Sequence, residues 1–409
     1  MPVLTNIATL YRCAAPGGQG ALHAVDRAAL VWEGETIRWV GAEAELPAAY
    51  AAAERLDAEG ALVIPGLIDC HTHLAFGGWR ADEFEMRILG KSYLDVARAG
   101  GGIASTMRRT RAASEDELFE RCLGFLGEMA RLGVTTVECK SGYGLTVEDE
   151  LKLLRVYRRL AGAQPLGIVA TFLGAHVVPP EYRDDRAAYV RLVCDEMIPR
   201  VAAEGPAEFC DVFVEETAFH ADEARRIFAA ARRHGLRPKL HVDQLGDGGG
   251  AKLAAEVGAI SADHLEYTSA EGMRAMAEAG VVAVSLPLAT LYLRQKPMDA
   301  RAFLDAGATV AVATDFNPGS APSFHLPLAL TLACTMNRLT PAEALKGATR
   351  YAARAIGRED RIGALEPGKQ ADFVLLDAES VNHWLYHFRP NAARATYVRG
   401  RRVASATGP

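Results

Sequence analysis

The segment VIPGLIDCHTHLAFGG, residues 63–78, runs apolar and then sets His71 and His73 two positions apart. Residues at that spacing on a β-strand share a face, so both imidazoles can reach one point beyond the strand end, as a metal chelate requires. Other chemically capable groups recur where short β-type runs finish. Glu138 and Lys140 close VTTVECK, His176 follows PLGIVATFLGA, and Glu215 and Glu216 close CDVFVEE. His241 lies in RPKLHVDQ, His264 in ISADHLE and Asp315 in TVAVATDF. A lone histidine at a strand end is more often a hydrogen-bonded core group. Several around one ring, joined by Asp315, supply the imidazole and carboxylate mixture that suits zinc or ferrous iron. A divalent ion lowers the pKa of bound water from about 15.7 to roughly 7, and a neighbouring Asp or His can take the proton as the oxygen attacks a carbonyl. The chemistry expected is hydrolysis.

Such a ring needs a frame. Eight β-type runs, LVIPGLIDC, VTTVECK, PLGIVATFLGAH, CDVFVEE, RPKLHVDQ, ISADHLE, VVAVSLP and TVAVATDF, alternate mostly with helical patterns. In EDELFERCLGFLGEMARLG, Leu118, Cys122, Phe125, Leu126 and Met129 fall on one face. Ser114 with Glu117, and Thr340 with Pro341 and Glu343, read as helix starts. Apolar strands covered on both faces by helices point to a closed (β/α)8 TIM-like barrel, an α/β fold whose chemistry sits at the C-terminal strand ends. An open doubly wound sheet is the second choice. The Gly-rich pieces AGGGI at 99–103 and GDGGGA at 246–251 lack GK[ST] and the GxGxxG spacing, so they read as loops.

Both chain ends are strand material of a different kind, with hairpin signals in LVWEGETIRWV and ATYVRGRRVASA. Residues 1–60 plus 360–409 are expected to meet in one small β-sandwich domain, leaving 61–359 for the barrel. A net charge of −6 offers no basic surface for nucleic acid or an anionic membrane, so a small molecule is the expected partner. Two stretches without charged residues, Leu160 to Pro180 and Phe316 to Asn337, each contain three prolines and read as buried barrel rather than membrane spans. No secretory signal is evident at the N-terminus, and seven cysteines without a CxxC pair suit reduced, buried thiols in a cytoplasmic protein.

PGLIDCHTH, the lone His241 and His264, and ATDFNPGS together resemble the amidohydrolase superfamily along almost the whole chain. Within it, DCHTHLAFGGWRADEFEMR, GGGIASTMRRTR, TTVECKSGYGLT, FLGAH, HVDQ and ATDFNPGS resemble the imidazolonepropionase family. The resemblance implies hydrolysis of 4-imidazolone-5-propanoate to N-formimidoyl-L-glutamate in histidine degradation. It also implies one divalent metal ion per chain, Zn2+ or Fe2+, and a homodimer. Its metal ligands fall on His71, His73, His241 and Asp315, and its substrate contacts on Arg80, Tyr143, His176, Gln244, Asn317, Gly319 and Ser320. Asp315 is expected to accept the water proton, His264 to hold or relay it, and His176 to bind the ring or its carbonyl oxygen. The guanidinium of Arg80 suits the propanoate carboxylate. Some similar members carry Glu where this chain has Gln244, which cannot act as a base. Lys140 and Glu138 read as an ion pair or site support rather than a carbamylated bridge, and Glu215 and Glu216 as the same. A guanine- or cytosine-type deaminase would share the ligands, and a metal-binding barrel without activity would share the fold.

Overall fold

The computed structural model describes residues 1–91 and 101–405, so Ala99 and Gly100 of the first Gly-rich piece lie outside the described residues. Five strands precede the barrel: β1 (Pro2–Tyr11), β2 (Ala24–Glu33), β3 (Thr36–Ala42), β4 (Glu54–Asp57) and β5 (Leu62–Pro65). Eight then form a parallel sheet in sequence order: β6 (Leu67–Thr72), β7 (Val134–Lys140), β8 (Gly167–Ala175), β9 (Ala207–Val214), β10 (Arg237–Val242), β11 (Ser261–His264), β12 (Val282–Ser285) and β13 (Val310–Val312). A parallel bridge between Thr72 and Phe316 brings the first strand to the chain beyond the last. There the Asp315 amide donates to the His71 carbonyl (3.1 Å), and the His73 amide to the Phe316 carbonyl (2.8 Å). The seam of the barrel therefore runs through the residues expected to hold the metal.

Every residue of β6 and β7 is buried. That is why these strands read as nearly continuous apolar runs instead of alternating ones. Helix Glu115–Arg131 buries Leu118, Cys122, Leu126 and Met129, while Phe125 is partly buried against the same core. Ser114 and Glu117, and likewise Thr340 and Glu343, form reciprocal capping boxes, which satisfy amides at the helix starts.

The last three strands, β14 (Phe373–Leu376), β15 (Ala393–Val398) and β16 (Arg401–Ser405), return to β1–β5 and build one mixed sheet. Its order is β16-β15-β14-β5-β1-β2-β3, with β4 beside β1. The final hairpin turns through Arg399 and Gly400 at φ 50° and 73°, the primed geometry that matches strand twist. The run LVIPGLIDC, which looks like one strand in sequence, is divided between the two sheets at Gly66. A Cβ at Gly66 would lie 2.3 Å from Thr135 Oγ1, so only glycine allows the chain to cross that close to β7. Among the described residues no helix is long and apolar enough to cross a membrane, and the seven cysteines are free thiols, five of them buried.

Candidate active site

Four imidazoles and a carboxylate meet above the strand ends. His71 is the fifth residue of β6, His73 follows that strand, His241 comes from β10, His264 ends β11 and Asp315 follows β13. Asp315 Oδ1 lies 3.3 Å from His71 Nε2 and 3.5 Å from His73 Nε2. His241 Nε2 is 3.4 Å from His73 Nε2. Each of these groups is buried. Donor atoms of His71, His73 and Asp315 lie within 4.8 Å of one another, as do those of His71, His241 and His264.

The tautomers are set from behind. His71 Nδ1 lies 2.6 Å from Asp263 Oδ2, and His241 Nδ1 lies 3.0 Å from Asp211 Oδ1. A carboxylate can only accept, so each Nδ1 carries the proton and each Nε2 lone pair points inward. Among the described residues, His71 Nε2 is buried without a hydrogen-bond partner. An acceptor left dry beside a second imidazole nitrogen and a carboxylate is costly unless a cation sits between them, and this donor set fits a divalent metal ion.

Asp211 and Asp263 share a cation. Lys140 Nζ lies 2.7 Å from Asp211 Oδ2, 2.9 Å from Glu138 Oε1 and 3.4 Å from Asp263 Oδ2, and all four side chains are fully buried. The expected ion pair of Lys140 and Glu138 is present, within a network that also backs two of the clustered histidines, His71 and His241. Isolated buried charges would cost several kcal/mol each, on the order of the desolvation of single ions, so such a network holds only when its members are paired. Glu215 accepts from the backbone amides of Gln244 (2.6 Å) and Leu245 (3.0 Å), supporting the loop after β10, whereas Glu216 is exposed. Neither Asp211 nor Asp263 was singled out from the sequence. The signal available was weak: Asp211 stands among Cys210, Val212 and Phe213 in β9, and Asp263 directly precedes His264 in β11.

Beside the histidines opens a cavity of about 150 Å³. Arg80, Tyr143, His176, Gln244, Asn317 and Ser320 all line it, together with His73, His241, His264 and Asp315. Gly319 completes the set from behind, because a Cβ there would sit 2.1 Å from Arg80 Nη2. Asn317 Oδ1 accepts from the amides of Gly319 and Ser320, each at 2.8 Å, and its Nδ2 donates to Ser320 Oγ at 2.8 Å. His176 Nδ1 donates to the Gly142 carbonyl (2.9 Å), which leaves Nε2 for the cavity. Burial and the neighbouring His73 push His176 down to about 3, so its ring is neutral near pH 7. Residues His264 and Asp315 both take left-handed backbone conformations, φ 80° and 57°, a strain that clusters where function holds it in place.

A parallel barrel with this histidine and aspartate cluster at its mouth, joined to a sheet from both chain ends, defines a hydrolase of the amidohydrolase class, and the Amidohydrolase family model matches residues 62–403. Imidazolonepropionase of Geobacillus kaustophilus is 50% identical over 378 residues, covering 91% of this chain and 89% of that protein. Imidazolonepropionase of Cupriavidus necator is also 50% identical, over 94% of this chain and 93% of its own. The chain belongs to the imidazolonepropionase family. A solved triazine hydrolase variant, 18% identical, superposes with a TM-score of 0.78 over 100% of this chain and 96% of that one, which shows the shared fold.

Proposed function

We propose that this chain opens the ring of 4-imidazolone-5-propanoate, using one divalent ion, Zn2+ or Fe2+, held by His71, His73, His241 and Asp315. The clustering of His71, His73 and Asp315, with His241 Nε2 3.4 Å from His73 Nε2, beside a cavity that Arg80 also lines supports this reading most directly. A divalent ion at that point acidifies water and polarises a carbonyl. The chain does the rest. Arg80 pairs with the propanoate, and Tyr143 closes over it from the buried side. The neutral His176 accepts a ring N–H at Nε2, because its own proton is committed to Gly142. Asp315 takes the proton of the attacking water, while His264 meets the charge that develops on the carbonyl oxygen. The bond from the carbonyl carbon to the ring nitrogen breaks, the water oxygen stays on that carbon as the new carboxylate, and the nitrogen leaves with a proton as N-formimidoyl-L-glutamate. Metal analysis of the purified protein beside loss of imidazolone absorbance tests the reading: one ion per chain and metal-dependent turnover are expected. Ammonia release from aminated heterocycles, with no turnover of the imidazolone, would assign it to a deaminase instead.

Two substitutions probe the binding wall. Gly319→Ala drives a methyl into the Arg80 guanidinium, and KM is expected to rise about tenfold, equivalent to about 1.4 kcal/mol, with kcat little changed. An unaltered KM would separate Arg80 from substrate. Gln244→Glu is expected to leave the pH profile of kcat/KM as it is, because position 244 binds rather than shuttles protons; a new acidic limb would overturn that role. Buried free thiols support a reducing cytoplasm. The family resemblance supports a homodimer, for which sedimentation at twice the chain mass is the expected result.

A further inference from the structure

A buried carboxylate outside the reaction centre organises the substrate wall. Glu150 lies in the first turn of helix Val147–Ala163 and is fully buried. It does not serve that helix, whose start is capped by Thr146 Oγ1 accepting from the Asp149 amide. Its oxygens turn back to the preceding loop. Oε2 accepts from the Gly142 amide (3.0 Å), and Oε1 from the amides of Gly144 (2.9 Å) and Leu145 (2.7 Å). Buried amides in an irregular loop need acceptors, and one carboxylate supplies three of them here.

That loop carries Tyr143, whose ring centroid lies 5.7 Å from His73 and 5.4 Å from His176. It also presents the Gly142 carbonyl that fixes His176 Nδ1. Gly142, at φ 103°, lies so close to β8 that a Cβ would come within 2.9 Å of the Leu173 carbonyl oxygen and 3.1 Å of His176 Nδ1. Ser141 Oγ accepts from the Leu173 amide at 2.9 Å and ties the loop to the same strand. Moving the loop would therefore move two walls of the cavity together.

We propose that Glu150 is a positioning residue for substrate binding, clamping residues 141–145 so that Tyr143 and His176 face the ligand. The inference rests on the assignment of Tyr143 as a substrate contact. Glu150→Gln keeps shape and volume but turns an acceptor edge into a donor facing backbone amides. KM is expected to rise about fivefold with kcat within about threefold of wild type, the scale of one or two perturbed hydrogen bonds. Metal content and thermal midpoint should stay near wild type. In a Tyr143→Phe background the same change should alter KM less than it does in wild type, with the remaining effect acting through His176, because contacting groups couple non-additively. Wild-type KM in E150Q beside a raised KM in Y143F overturns the clamp alone, and so does an equal E150Q effect in both backgrounds. Wild-type KM in Y143F overturns the Tyr143 assignment itself. A parallel loss of kcat, metal and thermal midpoint would reduce Glu150 to scaffold and also overturn the clamp. Should E150Q not fold, E150D, which keeps the charge and withdraws it by one methylene, carries the same expected split.

Discussion

Asp315→Asn is expected to lower kcat by about 10³-fold, within the range of roughly 10²–10⁴ that a positioned base contributes. The carboxylate reaches both His71 and His73 through Oδ1, while Oδ2 lies 3.4 Å from Ser320 Oγ on the cavity side. Asparagine keeps an oxygen where Oδ1 stands, so metal content should persist, but an amide is too weak a base to take a proton from water. Arg80 and Tyr143 are untouched, and KM should move only a few fold. Steady-state loss of imidazolone absorbance at saturating metal, with the bound ion counted in the same sample, separates the two roles. A metal-loaded D315N enzyme turning over near the wild-type rate would remove Asp315 from proton transfer.

His241→Ala should abolish metal retention and turnover together. The substitution deletes one inward Nε2 and leaves Asp211 buried with Lys140 as its one partner among the described residues. Asp211→Asn is the graded control. With the ligand present but its support weakened, metal affinity should fall by about 10–100-fold, the usual scale for an outer partner of a ligating histidine. Chelator competition reads this without an activity assay. An H241A protein that is metal-free and fully active would leave no place for the proposed chemistry.

Much of the site was legible because strands impose a period of two. The spacing of His71 and His73 gave a shared face, and ionisable residues at the ends of seven of the eight apolar runs marked the mouth of a barrel. Asp211, Asp263 and Glu150 were not legible in the same way. A carboxylate in a strand interior or a first helical turn is most often solvated or capping, and only the fold reveals that Asp211 looks at His241 and Asp263 at His71. The crossing between sheets at Gly66 was hidden for a related reason: every residue of β5 and β6 is buried and mostly apolar, so hydrophobic pattern alone joins them. Pro65 and Gly66 were the punctuation that pattern reading passed over.

Strand β5 pairs with β1 on one side and β14 on the other, and two residues after it ends β6 begins toward His71. One edge of this splint therefore stays open until Phe373–Leu376, the stretch synthesised after the entire barrel, arrives to cover it. Until that segment has been made, the first two histidines follow a strand fastened along one edge alone, so their full support depends on residues about 300 positions further along the chain.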